Sequence, residues 1–131
     1  MKLTPINSKA EIEGSEFIYR GITLIVARAN NKSFKKMFRE VLKPYKTEFD
    51  EGRMDDSVAD SLMISCIAKT ILVGWKNFVD TDGKKWDYSV PNAEALLTDD
   101  RDVMEAITKF SENIDNYIKI AEEETKAKSL A

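Results

Sequence analysis

Asp80, Asp82 and Gly83 share the opening of a calcium-binding loop. Such a loop needs a third oxygen ligand two residues after Asp82, where Lys84 stands. It also needs a glutamate at its twelfth position, where Pro91 stands, and its glycine in another register. A plain glycine turn accounts for the segment. Two carboxylate clusters follow, Asp99-Asp100-Asp102 and Glu122-Glu123-Glu124. Acid–base catalysis needs two carboxylates in unlike environments, one of them desolvated. Both clusters lie in polar sequence and read as solvated, and the first stands where a helix start favours negative charge. Cys66 falls on the apolar face of a helical pattern. The chain has no histidine, so the usual base for a cysteine nucleophile is missing. Cys66 therefore reads as a small core residue. With one cysteine and no histidine, a structural zinc site is excluded. The five glycines are isolated from one another and form no phosphate loop. The residues point away from an enzyme and away from any metal or cofactor.

Binding is the chemistry that remains. Trp75, Phe78, Trp86 and Tyr88 fall within fourteen residues. Aromatics carry large contact area and dominate many protein interfaces. Part of this cluster is expected to stay accessible and to contact a protein partner; the competing expectation is that it seals the core. Trp86 is the best contact candidate, because it follows two lysines beyond the Asp82-Gly83 turn, whereas Trp75 adjoins an apolar helix. A second candidate is the basic face of Lys32, Lys35, Lys36, Arg39 and Lys43. It could meet phosphates. It has no exposed aromatic for base stacking, since Phe34 and Phe38 fall on the opposite face. A solvated face or an acidic partner suits it better than nucleic acid. The wider charge agrees with this: residues 1–49 carry a net +5 and residues 50–131 a net −8.

These groups need elements to position them. Glu16–Tyr19 and Ile22–Arg28 are rich in β-branched and aromatic residues, and Arg20-Gly21 between them suits a tight turn. A β-hairpin is predicted, with both faces of its second strand apolar enough to need cover. Asn31 then caps a helix whose apolar face is Phe34, Met37, Phe38, Val41 and Leu42. Pro44 ends it, and residues 45–54 read as a linker. A second helix runs from Asp55-Asp56 to Gly74. It is apolar nearly all round and should be buried. Lys84–Tyr88 is expected to pair back as a short irregular strand. Ser89 caps a short helix with Pro91 in its first turn, and Asp99–Asp102 opens the last. The fold class is α+β, mostly α-helical: a small N-terminal hairpin packed on helices near 32–43, 56–74, 90–97 and 100–121.

The 131 residues fit a single domain. Residues 1–15 and 122–131 are expected to be weakly ordered. The lone cysteine suits a reducing compartment. No apolar run is long enough to span a bilayer, so no membrane contact is expected.

A fixed series of short motifs adds to this reading. Ala27-Arg28-Ala29-Asn30 comes first. Gly74-Trp75, Asp82-Gly83, Tyr88-Ser89, Asn92-Ala93 and Leu96-Leu97 then follow in order. Across most of residues 16–118 the chain resembles the tail assembly chaperones of tailed bacteriophages with long non-contractile tails. The resemblance implies a small α-rich protein of the host cytoplasm, absent from the mature virion. It implies binding to the tape measure protein, which is kept soluble, and recruitment of the tail tube protein. Many members also have a longer form made by ribosomal frameshifting. Self-association is a further option. Two alternatives stand beside it: a neck or minor tail protein retained in the particle, and a small nucleic-acid-binding regulator using the basic helix.

Overall fold

Arg20 and Gly21 both adopt positive φ, 51° and 79°. That is the two-residue turn whose twist matches a hairpin, and it closes β1 (Ser15–Tyr19) onto β2 (Ile22–Val26). The strands run antiparallel, from Tyr19 opposite Ile22 to Ser15 opposite Val26. The computed structural model describes residues 4–118.

The hairpin is not alone. A third strand, β3 (Leu72–Lys76), pairs antiparallel with β2 and makes a three-stranded sheet in the order β1-β2-β3. This corrects the expectation of a two-stranded hairpin and of a helix running to Gly74. That helix, α4 (Asp56–Thr70), stops four residues short. Ile71, Leu72 and Val73 continue its apolar pattern but are spent on the sheet instead. The Ile71 carbonyl accepts from the Ala27 amide at 2.7 Å, which draws the chain into the ladder. The β2–β3 register shifts between Ile25 and Val26. Leu72 therefore pairs with Val26 and Trp75 with Leu24. The extra residue lets two side chains three apart on β3 both reach the core.

Four N-caps start helices where expected. Asn31 accepts from the Phe34 amide at 2.9 Å and opens α2 (Lys32–Leu42). Asp55 accepts from Ser57 at 2.8 Å and opens α4. Ser89 accepts from Asn92 at 3.1 Å and opens α5 (Val90–Asp99). Asp100 accepts from Val103 at 3.1 Å and opens α6 (Arg101–Glu112). Each satisfies an amide that the first helical turn leaves without a partner.

Several boundaries differ. Within residues 1–15, expected to be weakly ordered, Asn7 caps a short helix, α1 (Ser8–Glu13). Residues 45–54 are less of a linker than expected. Pro44 sits in the first turn of a 3-10 segment, Lys43–Tyr45, and the chain continues into α3 (Lys46–Asp50). Asp80-Thr81-Asp82-Gly83 is a turn, but Lys84–Tyr88 is not a strand; a lone bridge joins Val79 to Lys85. α6 ends at Glu112 rather than near 121, because Asn113 leaves helical geometry and a 3-10 turn, Ile114–Asn116, follows. Ile114 is exposed, and Tyr117 swings under the sheet to donate to the Val26 carbonyl at 2.9 Å. The last residues of the expected helix, and the fraying expected over 122–131, lie outside the described residues.

The core lies between one sheet face and α4, α5 and α6. Leu24, Val26, Leu72, Ile107 and Tyr117 are fully enclosed there. The other sheet face is covered in part by the end of α1, where a Cβ on Gly14 would stand 2.7 Å from Ile25 Cγ2. α4 is not buried all round. Its buried residues begin at Cys66, and Ala59 in its first half is exposed.

Candidate functional site

Two concave regions are candidates. The first is the aromatic cluster. Trp75, brought in by β3, is only 8% exposed. Its ring lies 4.9 Å from Phe78, 5.1 Å from Trp86 and 5.2 Å from Tyr88 between centroids. Its indole N–H donates to the Trp86 carbonyl at 2.7 Å. The Tyr88 hydroxyl lies 2.8 Å from the Leu72 carbonyl and 3.1 Å from that of Ala68, so it serves the end of α4. Burial pushes the Tyr88 phenol above its ordinary range. Phe78, Trp86 and Tyr88 are half-buried, and they rim a shallow cavity of about 380 Å³ with Lys76 and Lys85 beside it. The structure thus brings together all four aromatics named from the sequence. Both of the cluster's buried polar handles point inward.

The second region is a groove of about 730 Å³ between α2, α4 and α6. α2 supplies one wall with Phe34 and Phe38, whose rings stack at 5.9 Å. Met63, Ile67 and Ile71 form the floor from α4 and the residue after it. Ile107 and Thr108 of α6 form the other wall. No residue of α2 is buried, although its five apolar side chains all face inward from a charged outer side. The apolar surface continues past Phe38 to Phe49, whose ring lies edge-on at 6.5 Å and is 48% exposed.

Asn31 holds the groove's shape. It is buried, caps α2, and donates through Nδ2 to the Arg28 carbonyl at 2.9 Å and the Thr70 carbonyl at 3.1 Å. One amide side chain therefore fixes the start of α2 against the end of α4. The Ala29 amide donates to the Ser111 carbonyl at 2.9 Å and fixes the same junction against α6.

The groove's charge is one-sided. Lys35 and Arg39 stand on its rim, and Lys32, Lys36 and Lys43 continue the basic face. Among the described residues none of these five cations pairs with a carboxylate. Glu112 lies at the α6 end. There the groove meets a polar trough containing the Arg28–Glu11 ion pair at 3.1 Å.

The candidates for covalent or metal chemistry are placed elsewhere. Asp80 Oδ1 accepts from the Asp82 and Lys84 amides, both at 2.9 Å, so its carboxylate organises the turn. Asp100 caps α6. Cys66 is buried, and desolvation raises its thiol pKa despite the opposing charge of Lys69. Among the described residues, no group of three Asp, Glu or Cys side chains could hold a metal ion. No helix among them is long and apolar enough to cross a membrane.

A model of the YdaY prophage protein family matches residues 29–128. The chain belongs to that family. It is thus a phage-derived protein, and the matched segment spans every residue that lines the groove and every member of the aromatic cluster. No curated protein and no solved structure matches this YdaY-family chain. The sequence shows the apolar stripe of α2 and the apolar second helix, but not the groove they form with α6. The partial signal was α2 itself, an amphipathic helix of 11 residues with five cations on or next to it.

Proposed function

We propose that this YdaY-family protein is a tail assembly chaperone. It binds the tape measure protein, keeps it soluble and brings tail tube subunits to it. It works in the host cytoplasm, by binding and without catalysis, and is left out of the finished virion. The observation that carries the reading is the groove between α2, α4 and α6. A tape measure protein is a long helical chain with apolar stripes, and a holder for it needs an apolar slot on a soluble, charged body. Phage origin and the ordered motifs from Ala27-Arg28 to Leu96-Leu97 support the same reading.

Co-expression with the cognate tape measure protein is the test. The chaperone should raise the soluble fraction of that protein and co-purify with it. An unchanged soluble fraction with no co-purification counts decisively against the proposal. Detection of the protein in purified virions would favour a neck or minor tail role. A nucleic-acid role would draw on the basic face of α2, but Phe34 and Phe38 line the groove and offer no outward platform for bases.

A further inference from the structure

We infer that the groove between α2, α4 and α6 takes an acidic amphipathic helix, seated with its apolar stripe on Met63, Ile67 and Phe38 and its carboxylates beside Lys35 and Arg39. The inference deepens the chaperone reading and rests on it for the source of that helix. Three observations select this occupant. The first is shape: α2 is about 16 Å long at the usual rise per residue, so its wall matches about three turns of a partner helix. The second is surface: Phe34, Phe38 and Met63 are apolar side chains left half-buried above the buried Ile67 and Ile71, which is how helix-binding grooves present their anchors. The third is charge. A cationic rim without carboxylate partners among the described residues favours a negatively charged ligand and disfavours a basic one. Glu112 at the α6 end and the Arg28–Glu11 pair beyond it add direction. The partner's carboxylates belong on the α2 side, and its α6 side carries neutral or basic residues.

A second copy of this chain is the competing occupant, because residues 50–131 carry the opposite net charge to residues 1–49. It becomes an outcome of the test.

The probes are two synthetic amphipathic peptides of about four helical turns. They have the same leucine stripe and differ only in having glutamate or lysine beside it. Binding to the full-length protein is read by fluorescence anisotropy, and the location of binding by the methyl resonance of Met63. The acidic peptide should bind at least about tenfold more tightly than the basic one. Its advantage should shrink between about 0.1 M and 1 M salt, where the screening length falls from roughly 10 Å to 3 Å. The Met63 methyl should shift on binding. Phe38→Ala should weaken the acidic peptide at least about tenfold. Should that variant fail to fold, the surface double variant Lys35→Glu/Arg39→Glu decides, because it should abolish the preference for the acidic peptide.

Equal binding of the two peptides overturns the inference, as does an unshifted Met63 methyl or a charge-reversed variant that still prefers glutamate. A concentration-dependent dimer whose formation shifts Met63 also overturns it, and gives the groove to a second copy. The two readings fail separately. If the tape measure protein is held soluble while the peptides ignore the groove, only the groove assignment is lost. If the acidic peptide binds as expected and the tape measure protein precipitates, only the chaperone reading is lost.

Discussion

Trp75 and Phe38 belong to two separate concave regions, and they live in different environments. Around Trp75 the rings meet one another at about 5 Å and the polar atoms are tied to backbone carbonyls. Around Phe38 the apolar α2 side chains and Met63 are half-buried over a buried floor, and the cations at the rim have no internal partner among the described residues. An aromatic-rich segment concentrates contact area and can spend it on its own interior. The amphipathic α2 instead leaves its apolar stripe only half-buried against α4. Density of aromatics by itself therefore does not tell how much apolar surface the fold leaves uncovered.

The difference can be broken most directly at Trp75. Trp75→Ala should remove about 3–5 kcal/mol of stability, the usual cost of emptying a buried aromatic site. Urea unfolding measures it. A loss as small as that of a surface change would mean that the aromatic cluster is the accessible region. The next largest effect belongs to the groove's frame. Asn31→Ala removes a cap and strands two carbonyls at the α2–α4 junction, and should cost about 1–3 kcal/mol. Its Met63 methyl should also report a changed groove.

Tyr88 sharpens the comparison through pH. Its phenol is held above the ordinary range by burial, and Tyr117 is raised in the same way. Above a pH of about 10 the unfolded chain loses these protons while the folded chain keeps them. Stability is thus full below the unfolded value and falls as pH climbs toward the folded one. Urea midpoints measured across this range should decline. Tyr88→Phe should lower stability by about 0.5–1.5 kcal/mol at neutral pH, and the alkaline decline should become shallower. An unchanged slope would place Tyr88 in solvent. The smallest effects are expected at the groove. Phe38→Ala should cost about 1 kcal/mol, in keeping with a half-covered ring. Lys35→Glu should change stability by less than about 0.5 kcal/mol.

What could be read from the sequence was whatever is written locally. Asn31, Asp55, Ser89 and Asp100 each announce a helix by side-chain chemistry within three residues. Arg20-Gly21 announces the hairpin in the same way. β3 was hidden because Ile71-Leu72-Val73 fits a helical stripe and a buried strand equally well. Its partner on β2, which settles the matter, is distant in sequence. The end of α6 was hidden for a similar reason, since Tyr117 keeps the helical spacing but is recruited by the Val26 carbonyl. The four aromatics were legible as a cluster; which of them face inward was not, because that depends on the bulge between Ile25 and Val26. The groove needed three stripes from separate helices to be set at one junction by Asn31 and Ala29, and no single stripe carries that information.

The sheet order has a consequence in time. β2 is the middle strand, yet its two neighbours arrive far apart in the chain: β1 just before it, and β3 only after α2, α3 and α4 have been made. At a synthesis rate of roughly 5–20 residues per second, β3 follows β2 by about 2–9 s. Through that interval the nascent hairpin carries Leu24, Ile25 and Val26 along an unpaired edge, the kind of edge that templates unwanted pairing. A protein proposed to shelter another chain thus passes through its own exposed stage on the ribosome, and it ends when Leu72–Lys76 docks.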